Sequence, residues 1–305
     1  HWVLEYHLHM FINIYFIIKN KISQNLIDSV EEIRIRVNCP IILKNNQSEI
    51  MVSAKILPET ILKVLQRICD NSIYSYQSQI CNGFITIKGG HRVGVTGNAV
   101  LKEGQVINLN YINSLNFRIA RQIFDAGNQA LQYILNIPNK SIFNTLIVSP
   151  PGRGKTTILR DVVRKISNGI PEINFNGLTC GVVDERGEIS ATYQGVIQND
   201  IGIRTDVIEN IPKALGMKML VRSMSPKIII ADEIGSKEDM EAIEYAVCSG
   251  VKGIFTAHAN SLEDIQKNPI LSQLIKKQLI EKIIYIEENR QIKLLYDKNV
   301  RLIKM

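Results

Sequence analysis

The feature that most constrains this chain is the segment Ser149-Pro150-Pro151-Gly152-Arg153-Gly154-Lys155-Thr156, which lies between an apolar run and a helical pattern. The apolar run, residues 145–148, predicts a buried strand, and residues 157–165 are compatible with a helix. A strand, a glycine-rich loop and a helix that starts with Gly-Lys-Thr form the context that a phosphate-binding loop requires. The segment therefore predicts a parallel α/β domain that binds a nucleotide.

The chemistry of such a loop assigns a role to its main parts. Successive backbone N–H groups surround the β-phosphate, and the helix N-terminus adds a favourable field. Lys155 would reach the β- and γ-phosphate oxygens, and the Thr156 hydroxyl would bind Mg²⁺. Ser149 stands where the consensus has glycine, but Gly152 and Gly154 remain, so we expect the loop to form. The predicted nucleotide-binding residues are Ser149, Pro150, Pro151, Gly152, Arg153, Gly154, Lys155, Thr156 and Thr157.

A second apolar run, residues 228–231, ends in the adjacent carboxylates Asp232 and Glu233. This pattern predicts a buried strand that presents acids at its carboxyl end, where α/β sheets bind ligands. We expect Asp232 to hold Mg²⁺ through water and Glu233 to polarise the attacking water. The alternative is a strand followed by a solvated acidic turn. Since no NKxD-type stretch is present to select guanine, ATP is favoured over GTP.

Two further segments follow predicted strands in the same manner. Asp184 and Glu185 follow an apolar strand at 181–183, and His258 follows one at 253–256. Because the carboxyl ends of parallel strands share one edge of the sheet, Glu185 and His258 are candidate catalytic residues, His258 as a sensor of the γ-phosphate. A structural role remains the alternative for each of them.

Before the nucleotide-binding region, the chain reads as a small α+β module. The pattern predicts a helix at 22–30, a strand at 31–37, a helix at 59–70 that begins after Pro58, and a hairpin of 84–88 with 91–99. Gly90, Gly94 and Gly97 lie in this β pattern and predict turns and bulges instead of a phosphate site. We place the domain junction in residues 101–122, which gives a domain at 1–120 and an α/β domain at 121–305, with terminal strands in 282–297.

Composition and charge exclude several classes of protein. With 305 residues, 45% of them hydrophobic, the chain is long enough for two folded domains. Its five cysteines are widely spaced without a CxxC pair, so neither a disulfide framework nor a zinc site is expected, and a reducing cytosol fits best. The longest apolar stretch, residues 10–18, is far shorter than the roughly 20 residues of a membrane-spanning helix.

The net charge of +7 is concentrated near the C-terminal end of the sequence. Such a basic segment suits nucleic acid, an anionic membrane surface or an acidic protein, and a solvated surface is the simplest interpretation. Charge alone does not choose among these partners.

Five ordered blocks resemble a known family: SPPGRGKTT, VVDERGEI, QGVIQNDIGIRTDV, MLVRSMSPKIIIADEIG and FTAHAN. They occur in the order seen in the stage III sporulation protein AA ATPases, which are similar to the type II and type IV secretion ATPases. The resemblance is strong over residues 146–260 and weaker in EEIRIRV and HRVGVTGNAV. It implies a RecA-like P-loop ATPase domain behind a small α+β N-terminal domain.

The same resemblance implies how the family works. Members use ATP and Mg²⁺ and assemble as a ring, expected to be a hexamer, in which a neighbouring subunit supplies an arginine to each site. The family roles map onto Lys155, Thr156, Glu185, Asp232, Glu233 and His258. The candidate arginines are Arg118, Arg121, Arg204 and Arg222, each of which could equally hold the fold. Arg153 departs from the small residue expected in related loops, and it adds positive charge to an anion site.

Three functions follow as alternatives. The leading hypothesis is a cytoplasmic ATPase that powers a sporulation-specific secretion apparatus between mother cell and forespore, docked on an integral membrane partner. A nucleic-acid-stimulated RecA-like ATPase is the second, although aromatic residues make up only 6% of the chain, so nucleic acid is not the expected partner. The third is a scaffold subunit that binds ATP without turnover.

Overall fold

The computed structural model describes residues 29–45 and 48–298, and these form two compact units. The first unit comprises the residues up to Arg121 together with Ala191–Gln198, and the second comprises Gln122–Ser190 and the residues from Asn199 onward. The boundary after Arg121 lies next to the junction predicted between 120 and 121. The segment Ala191–Gln198, which the sequence places in the second domain, groups with the first unit.

The first unit is built on a six-stranded antiparallel sheet with the order β3-β2-β1-β6-β5-β4. Two helices of this unit, α1 (Pro58–Ile68) and α2 (Gln77–Cys81), lie between β3 and β4 in the chain, and α1 buries its apolar face in the core of this unit. The strands are β1 (Glu32–Arg36), β2 (Ile41–Lys44), β3 (Glu49–Val52), β4 (Phe84–Ile87), β5 (His91–Lys102) and β6 (Gln105–Arg118).

Most sequence predictions for this unit are confirmed. The strand at 31–37, the helix after Pro58 and the hairpin around Gly89-Gly90 are present as β1, α1 and the β4–β5 pair. Gly90 has a φ of +76° in the turn. Gly97 lies at a break in the β5–β6 register, where a Cβ would approach the Asn110 carbonyl oxygen to 2.6 Å. The helix predicted at 22–30 falls almost entirely outside the described residues.

The junction predicted across 101–122 is wrong in extent. Most of that segment is the 14-residue strand β6, whose C-terminal half pairs with both β1 and β5. Its first half is largely exposed, but Ile107, Leu109 and Tyr111 alternate with Asn108 and Asn110, so the sequence does carry the period-two pattern of a strand here.

The second unit contains a seven-stranded sheet with the order β13-β12-β14-β15-β9-β16-β17, parallel throughout except for the β16–β17 pair. Two short ribbons, β7 (Leu135–Asn136) with β8 (Ser141–Ile142) and β10 (Gly169–Ile170) with β11 (Phe175–Asn176), lie outside it. The sheet strands are β9 (Thr145–Ser149), β12 (Cys180–Asp184), β13 (Thr205–Glu209), β14 (Ile228–Ala231), β15 (Lys252–His258), β16 (Lys282–Ile286) and β17 (Ile292–Asp297).

Helices cover both faces of this sheet. Along β14, Ile229 and Ala231 belong to one apolar core, whereas Ile228 and Ile230 belong to the other, because successive side chains point to opposite faces. Strands buried on both sides explain the continuous apolar runs in the sequence. The helices are α3 (Asn128–Ile134), α4 (Lys155–Asn168), α5 (Lys213–Ser223), α6 (Lys237–Cys248), α7 (Leu262–Lys267) and α8 (Pro269–Lys276).

The four strands predicted for the α/β domain are confirmed as β9, β12, β14 and β15, and the terminal strands as β16 and β17. The parallel α/β class is therefore confirmed. In the part of the chain that the structure describes, no helix has both the length and the apolar character needed to cross a bilayer.

Candidate nucleotide-binding site

The segments that the sequence singled out meet at one edge of the parallel sheet. Strands β9, β12, β14 and β15 all run in the same direction, so their carboxyl ends lie side by side. In the ladder between β15 and β9, His258 is directly opposite Ser149. This is the edge at which open α/β sheets bind ligands.

The loop between β9 and α4 adopts a conformation that needs its glycines. Gly152 and Gly154 have φ values of +75° and +87°, which L-residues with a Cβ rarely adopt. Beyond the neighbouring residues, no atom lies within 4 Å of the point where either Cβ would stand, so the backbone conformation and not crowding calls for glycine here. Helix α4 begins at Lys155 directly after this loop, and its first N–H groups have no partner within the helix. The loop predicted from the sequence therefore forms, even with Ser149 in the glycine position.

Lys155 is the buried cation of this loop, with only 5% of its surface exposed. Its ammonium has three hydrogens to share among the acceptors around it, which include the Ser149 carbonyl oxygen at 3.1 Å, Ser149 Oγ at 3.2 Å and the Pro150 carbonyl oxygen at 3.2 Å. It also lies 3.0 Å from His258 Nδ1. The Ser149 hydroxyl, which consensus loops lack, thus helps to hold the lysine.

Burial lowers the pKa of Lys155, while the charges of Asp232 and Glu233 raise it in opposition. The carboxylates at the end of β14 therefore offset part of the desolvation that disfavours the charged lysine. A phosphate group that approached this ammonium would meet a positive charge with little water around it, where Coulomb attraction is stronger than in bulk solvent.

Asp232 lies between two threonine hydroxyls. Thr156 Oγ1 donates to Asp232 Oδ2 at 2.7 Å, and Thr256 Oγ1 donates to Asp232 Oδ1. The loop threonine and the strand-end aspartate therefore present hard oxygen ligands together, which is the chemistry that Mg²⁺ prefers. Among the described residues no group of three His, Cys, Asp or Glu side chains is arranged to hold a metal ion. The donor set consequently fits Mg²⁺ that keeps several waters and is shared with phosphate oxygens.

Glu233 is held in an unusual backbone conformation, with a φ of +54°. Its N–H donates to Thr256 Oγ1 at 2.8 Å, so the same threonine contacts both carboxylate-bearing residues at the end of β14. The sequence does not identify Thr256 as a site residue, because a single threonine within an apolar strand is expected to lie in the hydrophobic core. Positive φ in a non-glycine residue costs free energy and is concentrated at functional sites.

The Glu233 carboxylate contacts a histidine and an arginine. Oε1 lies 3.2 Å from His258 Nε2, and Oε2 lies 2.5 Å from an Nη of Arg186. Because the Lys155 ammonium can only donate, His258 Nδ1 accepts, and the proton is assigned to Nε2, which donates to Glu233. Lys155, His258, Glu233 and Arg186 therefore form one continuous chain of polar contacts.

The acidic segment after β12 has two carboxylates with different surroundings. Asp184 is buried and accepts from the backbone N–H groups of Glu188, Ile189 and Ser190 at 2.8–3.0 Å and from the Ser190 hydroxyl at 2.6 Å. It therefore organises the following loop.

Glu185, one of the residues predicted to be catalytic, forms an ion pair with Lys213 at the start of α5. Both line a small pocket beside the end of β14. That pocket is lined by Val183, Asp184, Glu185, Arg186, Glu188, Lys213, Asp232 and Glu233.

In the second unit, Arg204 and Arg222 contact groups outside this network. Arg204 donates to the carbonyl oxygens of Ser167 and Asn168 at 2.9 and 3.3 Å, at the opposite end of α4 from the loop. Arg222 stacks on the ring of Tyr245 at 5.6 Å. Arg118 and Arg121 belong to the first unit, Arg118 at the exposed end of β6 and Arg121 with a bond to the Val30 carbonyl oxygen.

Arg153, the departure from related loops, forms an ion pair with Glu288 at 2.6 Å. Arg186, which is the arginine in contact with Glu233, was not among the sequence candidates. The only sequence signal for it is its place two residues after a strand end.

Two solved structures share the fold. The X-ray structure of the Legionella pneumophila ATPase DotB aligns with a TM-score of 0.56 and 16% identity, over 91% of this chain and 79% of that one. The pilus retraction motor PilT with bound ADP aligns with a TM-score of 0.56 and 14% identity, over 89% of this chain and 80% of that one. The predicted RecA-like P-loop fold behind a small N-terminal domain is thereby confirmed.

Sequence comparison identifies the family. Stage III sporulation protein AA of Bacillus subtilis (strain 168) is 38% identical over 275 residues, which cover 88% of this chain and 87% of that protein. The family model described as Sporulation stage III, protein AA matches residues 12–302. The chain therefore belongs to the stage III sporulation protein AA family.

Proposed function

We propose that this protein binds ATP with Mg²⁺ and hydrolyses it. The observation that carries the proposal is the connected set at one sheet edge: Lys155 with His258, His258 with Glu233, and Thr156 with Asp232. A cation, a hydroxyl–carboxylate pair and a second carboxylate are the parts that phosphoryl transfer to water requires. The relatives support this reading, since DotB is described as an ATPase and PilT was solved with bound ADP.

Each residue has a distinct task in the proposed reaction. The Gly152–Gly154 loop and Lys155 bind and orient the phosphates, and Thr156 with Asp232 would hold Mg²⁺, which neutralises developing charge. Glu233 orients the attacking water and accepts its proton. His258 contacts both Lys155 and Glu233, so it is suited to report on the phosphate that Lys155 binds. Glu185, paired with Lys213, borders the same pocket.

We further propose that hydrolysis drives a sporulation-specific secretion or channel apparatus between mother cell and forespore. The family membership supports the link to sporulation, and the motor described for PilT supports mechanical work. The proposed assembly is a homo-oligomeric ring, expected to be a hexamer, in the mother-cell cytoplasm and docked on an integral membrane partner. One of the arginines Arg118, Arg121, Arg204 and Arg222 would then act on a neighbouring subunit's phosphate.

The test is steady-state ATP hydrolysis by the full chain across a protein concentration series, with and without single-stranded DNA. Glu233→Gln removes the proposed base and keeps a similar shape. Glu263→Gln is the matched control, because Glu263 is an exposed carboxylate on α7, with 71% of its side chain accessible, and it pairs with the exposed Lys267.

An oligomeric motor predicts that specific activity rises with concentration, is lost in Glu233→Gln, is kept in Glu263→Gln and does not respond to DNA. A strong increase on addition of DNA would favour the nucleic-acid-stimulated ATPase instead. ATP binding without turnover at any concentration would contradict the hydrolase and favour the scaffold.

A further inference from the structure

Arg186 is the charged group that contacts Glu233 from the neighbouring strand end. Its Nη1 lies 2.5 Å from Glu233 Oε2, while the other carboxylate oxygen contacts His258. The arginine side chain is 63% accessible, although Glu233 is only 26% accessible. The guanidinium can therefore reorient through solvent, whereas the carboxylate that it contacts is half-buried.

The two partners are anchored by different means. The Glu233 backbone is held by the bond from its N–H to Thr256 Oγ1 at 2.8 Å. Arg186 lies in the loop that Asp184 organises through the N–H groups of Glu188 and Ile189. The base of the loop is therefore held by hydrogen bonds, whereas the Arg186 side chain is mostly exposed to solvent.

The pocket beside the end of β14 is lined by more carboxylates than cations. Five carboxylates line it, those of Asp184, Glu185, Glu188, Asp232 and Glu233, against the cations Arg186 and Lys213. Lys213 is already paired with Glu185. A γ-phosphate bound through Lys155 would stand close to Glu233, because His258 links the two side chains by contacts of 3.0 and 3.2 Å. Like charges would repel there unless a cation lay between them.

We propose that Arg186 is a second γ-phosphate sensor of its own subunit, beside His258: on ATP binding its guanidinium leaves Glu233 for the γ-phosphate and frees the carboxylate to orient water. This assignment rests on the proposed function and deepens it. An exposed arginine–carboxylate pair is weak, whereas a guanidinium that forks onto phosphate oxygens makes two charge-assisted bonds, so the exchange is favourable. ADP lacks the γ-phosphate and therefore leaves Arg186 on Glu233.

The experiment is equilibrium binding of fluorescent ADP and of the non-hydrolysable analogue AMP-PNP, with Mg²⁺, to the full-length protein. The variants are Arg186→Ala and Arg186→Lys. Arg34→Ala is the matched control, because Arg34 is also a half-exposed arginine paired with a glutamate, Glu32, but it lies in β1 of the first unit. Thermal unfolding of each variant checks that the fold is retained.

We expect Arg186→Ala to weaken AMP-PNP binding by about tenfold, the effect of losing one charge-assisted phosphate contact, and to change ADP binding by less than about twofold. Arg186→Lys should fall between wild type and Arg186→Ala, because a lysine keeps the charge without the fork. Arg34→Ala should leave the affinities for ADP and for AMP-PNP unchanged.

The assignment would be overturned if Arg186→Ala weakened the binding of ADP and of AMP-PNP equally, or if it changed neither affinity. Either result would leave the proposed function intact. Faster hydrolysis at unchanged affinities would also overturn the assignment, since Arg186 would then only restrain Glu233. If neither nucleotide binds the wild type, the proposed function fails, and the sensor role fails with it.

Discussion

Replacing Asp184 with asparagine should destabilise the second unit far more than the change in size suggests. Oδ2 accepts three bonds, from the N–H groups of Ile189 and Ser190 and from the Ser190 hydroxyl, and Oδ1 accepts the Glu188 N–H. An asparagine can keep its oxygen on the side of the three donors, but its NH₂ group then faces the Glu188 N–H. One buried bond is lost, a donor faces a donor, and the remaining bonds lose their charge assistance. The expected loss in the free energy of unfolding is about 2–4 kcal/mol.

Glu185→Gln is the internal comparison for this prediction. Glu185 is the next residue, but its side chain is 38% accessible and pairs with a single lysine, so its replacement should cost less than about 1 kcal/mol. The assay is urea unfolding of both variants and wild type, followed by circular dichroism. Surface substitutions usually change the free energy of unfolding by no more than about 0.5 kcal/mol. If Asp184→Asn differs from wild type by no more than that, Asp184 does not organise this loop.

Three further predictions follow from single contacts. Gly154→Ala and Gly250→Ala both place a Cβ at a φ above +80° with open space around it, so each variant should lose about 1–2 kcal/mol of stability. Only Gly154→Ala should weaken AMP-PNP binding, and equal AMP-PNP affinity of the two variants would contradict the loop assignment. Burial raises the pKa of the Cys180 thiol from 9.0 to about 12, so its contribution to stability is complete below pH 9 and is lost between pH 9 and 12. The free energy of unfolding of wild type, from urea curves, should therefore fall relative to that of Cys180→Ala over that window, by up to about 1.4 kcal/mol per pH unit, and parallel pH curves of the two proteins would exclude the effect. Arg204→Ala should lower the free energy of unfolding, measured with urea, by about 1–2 kcal/mol, because Arg204 donates to the last carbonyl groups of α4. Unchanged stability would contradict this structural role and would favour a role of Arg204 on a neighbouring subunit.

The sequence predicts the sheet edge well because its signals are local. An apolar run followed at once by Gly-Lys-Thr, by Asp232-Glu233 or by His258 identifies both a buried strand and the residue at its carboxyl end. Parallel strands then bring those ends together without further information. The same argument fails for Thr256, whose side chain reaches Asp232 from within an apolar strand, since nothing in the pattern tells which face a single threonine occupies.

Features that depend on contacts between distant parts of the chain could not be predicted from the sequence. The segment Ala191–Gln198 groups with the first unit through contacts such as the bond from the Tyr193 hydroxyl to Asp70 at 2.6 Å. These residues are separated by more than a hundred positions, and the segment carries no periodic pattern of its own. Strand β6 was missed for a different reason: its exposed half alternates like a strand, but the Gly, Asn and Ser residues of 101–122 favoured a junction over that pattern.

The polar groups of the candidate site satisfy one another, and this affects how its variants must be interpreted. Lys155 bonds to Ser149, Pro150 and His258, and Glu233 bonds to His258 and Arg186. Removing one member leaves a half-buried partner without its bond, so an alanine variant measures that penalty together with any lost catalytic contact. Glu233→Gln avoids most of this, because the amide oxygen can still accept from His258 Nε2 or from Arg186. A loss of turnover in Glu233→Gln with AMP-PNP affinity retained would therefore report on the chemistry of the carboxylate, whereas the same loss in an alanine variant would not separate chemistry from repacking of the network.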